Sequence, residues 1–230
     1  MAIHLLTPAF NVYEQMALDE VLVRADLPEP VLRFYHWTQG PAVTFGYAQF
    51  YADIQKQCPQ TAGPVCRRPT GGGIVFHGED LTFSLVFESV WNRPKEIYAR
   101  LHSAIEKALM QTGALYSSRQ GQVTAQAYLP QQNGAATGCF VNPVEDDLLS
   151  GGQKILGGAI RRFGSKVLYQ GSLQYEAART DPSFRRAVQL GLAEALQVSF
   201  RTVPLEEDLL LKARLLTQEQ YKADAWNQKF

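Results

Sequence analysis

The run Arg67-Arg68-Pro69-Thr70-Gly71-Gly72-Gly73-Ile74-Val75-Phe76-His77 sets the tightest local limit on what this chain can fold into. Two arginines meet three consecutive glycines, which lead into a β-branched and aromatic run ending in histidine. Glycine lacks a Cβ, so this backbone can take φ > 0, and a ligand can lie directly against its N–H groups. Paired arginines beside such a loop suit a carboxylate, a phosphate or a phosphopantetheine arm. A glycine-rich β-turn with solvated arginines on a neighbouring strand satisfies the same residues, and the segment alone does not separate the two.

The remaining composition narrows the class. A chain of 230 residues is long enough for one large domain that buries roughly 70% of its unfolded surface. Lys plus Arg and Asp plus Glu each number 22, for a formal net charge of zero. A dedicated nucleic-acid binder normally needs a basic excess, so that class is disfavoured. The opening Met-Ala-Ile-His-Leu-Leu-Thr-Pro has neither the basic start nor the long apolar core of a signal peptide. No apolar run approaches bilayer length, so no membrane partner is expected. The cysteines Cys58, Cys66 and Cys139 are odd in number and widely spaced. That pattern argues against a disulfide framework or zinc site and for a reducing cytoplasm, with each thiol by default a small buried hydrophobe.

Periodicity predicts an α+β domain of antiparallel strands with helices outside them. A helix is expected over 11–25. Val31–Trp37 and Ala42–Tyr47 read as a hairpin turning at Thr-Gln-Gly-Pro, and Val65–Arg68, Ile74–His77 and Leu81–Glu88 continue that sheet. Pro94–Thr112 is a clear helix closed by Gly113, and residues 114–140 are the best candidate for a long loop. Lys154–Arg162 and Lys166–Gln174 form a second hairpin about Phe163-Gly164-Ser165. Asp181-Pro182 opens a helix, Pro204–Leu216 is another, and Thr217 is expected to cap a last turn. No internal linker is visible, so residues 1–230 are read as one domain.

A second glycine-rich block, Ser150-Gly151-Gly152-Gln153-Lys154-Ile155-Leu156-Gly157-Gly158, frames Lys154. A lysine so placed can approach a carbonyl or phosphate, though an exposed hairpin lysine would look the same. Fifteen positions upstream, Cys139 sits in Gly138-Cys139-Phe140-Val141-Asn142-Pro143. A nearby ammonium would favour its thiolate and make it a nucleophile, whereas Glu145-Asp146-Asp147 would oppose this if closer.

These residues together resemble the lipoate-protein ligase/octanoyltransferase family, which shares its catalytic domain with the biotin-protein ligases. The resemblance runs through Gln15–Glu20, Leu32–Trp37 with Gly46-Tyr47, Arg67–His77 with Leu81–Ser84, Lys154–Gly157 and Gly171-Ser172-Leu173. It implies a class II aminoacyl-tRNA synthetase/biotin-ligase-like α+β fold with mixed, mainly antiparallel sheets, a hydrophobic acyl tunnel, and acyl transfer to one lysine of a lipoyl domain. The ligases' Gly-Arg-Asn-Asp segment is Val144-Glu145-Asp146-Asp147 here, while Cys139-Phe140-Val141-Asn142-Pro143 followed by Asp147-Leu148 matches the cysteine-dependent octanoyltransferases. The chain departs from the group at Gly158, Ile160 and Gln170, where serine, glutamine and histidine are usual.

The resemblance therefore implies Cys139 as nucleophile and Lys154 as its catalytic partner, lowering the thiol pKa and polarising the acyl carbonyl. Arg67, Arg68, Thr70, Gly71, Gly72, Gly73, His77 and Gly157 are implied to bind substrate, with the Gly71–Gly73 N–H groups holding the thioester oxygen. The implied partners are an acyl carrier protein and a lipoyl domain of glycine-cleavage H protein or a 2-oxoacid dehydrogenase E2. No metal or cofactor and no C-terminal accessory domain are expected. The alternatives are an ATP- and magnesium-dependent lipoate ligase, in which Lys154 and Arg67 or Arg68 meet the phosphates, a biotin ligase, or a non-catalytic binder of acyl carrier or lipoyl domains.

Overall fold

The computed structural model describes residues 2–27, 30–38, 40–58, 63–114, 147–150, 153–175 and 177–230. Among these residues ten strands form two sheets. In chain order they are β1 (Ala2–Leu6), β2 (Val31–Phe34), β3 (Ala42–Phe45), β4 (Val65–Arg67), β5 (Val75–His77), β6 (Leu81–Glu88), β7 (Leu148–Ser150), β8 (Gln153–Phe163), β9 (Lys166–Leu173) and β10 (Phe200–Pro204). The large sheet runs β10-β1-β2-β6-β9-β8-β7 and the small one β4-β3-β5. The helices are α1 (Val12–Arg24), α2 (Tyr51–Gln57), α3 (Pro94–Gln111), α4 (Pro182–Leu196), α5 (Glu207–Leu216) and α6 (Asp224–Asn227), with a π-helical turn at Thr217–Tyr221. The expected α+β class is borne out. No described helix is long and apolar enough to cross a membrane.

Alternation along the large sheet decides where the site lies. Leu81, Phe83, Leu85 and Phe87 of β6 join Leu32, Phe34, Tyr169 and Leu173 beneath α3 and α4. The intervening residues of β6, Thr82, Ser84 and Val86, face the other way, where Val86 packs with α1 and α5. A period of two thus sends apolar side chains to one helical layer and a mixed set to the other. α1 lies on that mixed face. Asn11 starts it, accepting from the backbone N–H groups of Tyr13 and Glu14 at 3.0 and 3.1 Å while Glu14 returns a bond to Asn11 N, a capping box. Pro94 opens α3 and Asp181-Pro182 opens α4 as expected. The Phe163-Gly164-Ser165 hairpin also forms, with Gly164 at φ 64°.

Three expectations are corrected. Val31–Trp37 and Ala42–Tyr47 are not hairpin partners. β2 pairs with β1 and β6 in the large sheet, whereas β3 pairs with β4 and β5 in the small one. β4 and β5 belong with β3, so the predicted single sheet divides. The helix expected from Pro204 begins at Glu207, because Phe200–Pro204 is a strand parallel to β1. Finally, Thr217 does not start a turn with its side chain: its hydroxyl donates back to Ala213 O at 2.7 Å, the common alternative for a helical threonine.

Candidate active site

Two residues of α1 one helical turn apart, Gln15 and Asp19, face Arg33 of β2 and Tyr35 just beyond it. Arg33 is fully buried. Its Nε donates to Asp19 Oδ1 at 2.7 Å, its Nη1 to Gln15 Oε1 at 2.6 Å and its Nη2 to Gln15 O at 2.7 Å. Asp19 also accepts from Ser84 Oγ at 2.6 Å, from Gln170 Nε2 at 2.6 Å and from the Tyr35 hydroxyl. A buried ion pair survives only when its remaining donors and acceptors are met in this way. Burial and the neighbouring Asp19 charge push the Tyr35 phenol well up, so it remains a donor. Gln170 carries the network onward, since its Oε1 accepts from Thr70 Oγ1 at 2.6 Å. The residue that departs from the family's histidine is therefore the tie between α1 and the glycine loop.

Facing this network across a cavity is the small sheet. The cavity is lined by Thr44, Arg68, Val75 and His77 from the small-sheet side and by Met16, Tyr35, Thr82, Gly157–Ala159 and Gln170–Ser172 from the side of α1 and the large sheet. Two of its glycines are required by packing. A Cβ on Gly158 would fall 2.4 Å from the Tyr169 ring, and one on Gly171 would fall 2.5 Å from Phe83. Gly72 sits at φ 87°, a conformation only glycine takes freely. Arg68 clips the loop to itself, Nε donating to Gly71 O at 3.0 Å, and reaches Thr44 Oγ1 at 3.4 Å.

His77 forms the wall of the cavity through a fixed hydrogen-bond chain. Its Nδ1 lies 3.0 Å from Asp80 Oδ2 and its Nε2 2.9 Å from Thr44 Oγ1. A carboxylate facing Nδ1 holds a proton on that nitrogen, which donates to Asp80, while Nε2 shares a hydrogen bond with the Thr44 hydroxyl. Trp37 lies against the ring at 5.0 Å. Asp80 also accepts from Thr82 Oγ1 and Ser172 Oγ, each at 2.6 Å. Burial alone would raise the Asp80 pKa, but His77 and the hydrogen bonds from His77, Ser172 and Thr82 outweigh it and pull the carboxyl below its ordinary value.

The sequence-predicted residues separate into groups. Arg68, His77 and Gly157 line the cavity, and Thr70 and Gly71–Gly73 lie on the loop that presents Arg68. Arg67 does not line it: its guanidinium points to the C-terminal segment, donating to Trp226 O and Asn227 O at 2.9 Å each. Lys154 is buried and pairs with Asp147 at 2.8 Å, so the acidic residue feared as an opponent is the lysine's partner. Any stabilisation of a neighbouring thiolate is shared with that carboxylate. Cys139 lies outside the described residues. Of the other thiols, Cys66 is fully buried, and desolvation pushes its pKa far up; Cys58 is shifted up by burial as well. Neither environment makes a nucleophile. Sequence reasoning passed over Asp19, Asp80 and Thr44. A signal existed for Asp19, because an acid four residues after Gln15 on an apolar helix needs a buried partner, and Arg33 alternates with Tyr35 on the next strand.

Comparison with known proteins gives the family and the fold. The profile of the lipoyl protein ligase A/B catalytic domain matches residues 11–190. The octanoyltransferase LipM of Symbiobacterium thermophilum is 26% identical, with 94% of each chain covered. That of Lysinibacillus sphaericus is 28% identical over 97% of this chain and 95% of its own. Among solved structures, lipoate-protein ligase A bound with ATP superposes with a TM-score of 0.73 at 23% identity, covering 99% of both chains. The bi-partite lipoate protein ligase of Thermoplasma acidophilum gives 0.70 at 23% identity, over 99% of this chain and 96% of that one. At that identity the two structures speak to the fold alone. Matched over most of its length by the family profile and end to end by octanoyltransferases, the chain belongs to the lipoyl protein ligase A/B catalytic domain family and is an acyltransferase of protein lipoylation.

Proposed function

We propose that one catalytic domain moves an octanoyl or lipoyl group from the thioester of an acyl carrier protein to the acceptor lysine of a lipoyl domain, by way of Cys139 and without nucleotide or metal. The lipoyl domain belongs to glycine-cleavage H protein or to a 2-oxoacid dehydrogenase E2, and the setting is the cytoplasm. The observation that carries the reading is the cavity, walled by Met16, Val75 and Gly157–Ala159, with Arg68, which bonds the glycine loop at Gly71 O, in its lining. An apolar slot beside a backbone-lined turn suits an acyl chain whose carbonyl lies at the loop.

In the first step Cys139 Sγ attacks the thioester carbonyl. The carbon–sulfur bond to the carrier breaks, and the carrier leaves as a thiol with the proton Cys139 gives up. In the second, the acceptor lysine's neutral amine attacks the acyl-cysteine, the new amide forms, and the amine proton returns the cysteine to its thiol. The Gly71–Gly73 N–H groups receive the oxyanion in both steps. Lys154, held by Asp147, supplies positive charge to the thiolate and the carbonyl. Arg68 holds the loop's shape through Gly71 O.

Intact-mass spectrometry after incubation with octanoyl-acyl carrier protein tests this reading. One octanoyl adduct on the wild type and none on Cys139→Ser is the expected result. An adduct that forms only with free lipoate, ATP and magnesium would replace it with the adenylate-forming ligase reading.

A further inference from the structure

We propose that Trp226 and Asn227 form a latch that fixes the glycine loop, which makes them positioning residues for acyl transfer; this rests on the loop's role in holding the acyl carbonyl. The latch closes on Arg67, the residue that opens the loop. Asn227 Oδ1 accepts from Arg67 N at 2.8 Å, and Trp226 Nε1 donates to Arg67 O at 2.8 Å. The same two residues take the guanidinium through their carbonyls at 2.9 Å each. Both backbone groups and the side chain of the last β4 residue, at the root of the loop, are thus held by consecutive residues about 160 positions later in the chain.

The remaining donors of Arg67 go to Tyr47 O at 2.6 Å and Gln49 O at 2.8 Å, with Gly46 O at 3.5 Å. Arg67 is fully buried, and among the described residues no carboxylate pairs with it. A planar fork satisfied by carbonyls alone is an exacting arrangement, because several separate backbone segments must be in place at once. The segments it gathers are the ones that shape the loop. Tyr47 N donates to Thr70 O at 2.8 Å. Gly46 lies so close to Gly72 that a Cβ there would stand 1.9 Å from Gly72 O.

A second strap reinforces the first. Lys229 Nζ donates to Tyr47 Oη at 2.6 Å, and Arg161 lies 4.5 Å from the centre of that ring while donating to Pro69 O at 3.1 Å. Phe230 O accepts from Tyr51 N at 2.9 Å. Asn227 is itself set by its amide, which donates to Tyr221 O at 2.8 Å in the π-helical turn. All of these C-terminal residues lie beyond the stretch matched by the family profile, yet they hold a residue inside it.

The test compares wild type, Trp226→Phe and Asn227→Ala by amide hydrogen exchange over residues 68–73 and by steady-state octanoyl transfer. Trp226→Phe removes one donor and keeps a ring against Tyr221 and Tyr47, so it folds even if Asn227→Ala does not. Faster exchange in the loop is expected, together with a kcat lowered about three- to tenfold and an unchanged KM for the lipoyl domain. Folded variants with wild-type kcat would overturn the latch, and so would slow turnover with unchanged loop exchange. A wild type that transfers nothing from the octanoyl carrier would instead refute the functional reading, and the exchange comparison would still decide whether the latch holds the loop.

Discussion

Asp19 shows how single residues in this protein serve two ends. It compensates the buried Arg33 charge at 2.6 Å, both side chains being fully buried, and through Gln170 it reaches the loop hydroxyl of Thr70. Removing one partner of such a pair strands the other charge. Asp19→Ala is therefore expected to lower unfolding free energy by about 3–5 kcal/mol, read from urea midpoints with unchanged slope; a loss below about 1 kcal/mol would mean the pair is not the keystone described. Lysines provide the matching contrast for catalysis. Lys154 is buried and paired with Asp147, whereas Lys166, on the partner strand, donates to Ala25 O away from the cavity. Lys154→Ala should lose activity by orders of magnitude and Lys166→Ala should stay near wild type in the same transfer assay. Equal, small effects would remove Lys154 from the mechanism.

At the scale of elements, α1, α3, α4 and the long hairpin were legible because their signals are local, whereas α2 was not read. Pro94, Asp181-Pro182 and Gly164 each fix a start or a turn through their own backbone preferences. The division into two sheets was not legible. Val31–Trp37 and Ala42–Tyr47 carry apolar runs and a turn sequence between them, and nothing local tells β2 to seek β1 and β6 while β3 seeks β4 and β5. The parallel pair β1 and β10 is harder still, since its strands come from opposite ends of the chain. The candidate site was legible in part for the same reason. Glycine spacing marked the loop, but the partners of Arg67 lie far away in sequence and left it reading as a ligand arginine. Packing between elements gives a direct check. Gly191 of α4 meets α3 so closely that a Cβ would lie 2.6 Å from Ile105 Cα, and a backbone atom cannot swing away. Gly191→Ala should destabilise the protein by about 1–3 kcal/mol in chemical denaturation; a neutral result would mean that α3 and α4 slide apart without cost.

The molecule as a whole places a neutral-to-acid limit on its own stability. His4 and His36 are both shifted below 6.5, first by burial and then by the Arg185 charge. The unfolded chain thus binds protons more readily than the folded one, and stability falls as pH drops through and below about 6.5. Asp80 works in the opposite sense and much lower: its depressed carboxyl favours the fold above about pH 4 and loses that contribution only as pH falls further. Thermal midpoints should therefore decline between pH 7 and pH 5, and His4→Gln should flatten that decline; an unaltered slope would assign it to other groups. Beyond stability, the proposed function asks an apolar cavity, a glycine loop held from the C-terminal segment and the buried Lys154 to act together in acyl transfer. The most direct measurement is octanoyl transfer from the acyl carrier protein to an apo-lipoyl domain, with ATP omitted, for wild type and Cys139→Ser side by side. Octanoyl-lipoyl domain should accumulate with the wild type and not with the variant, whereas equal product from both, or product only when ATP and magnesium are supplied, would contradict transfer through the cysteine.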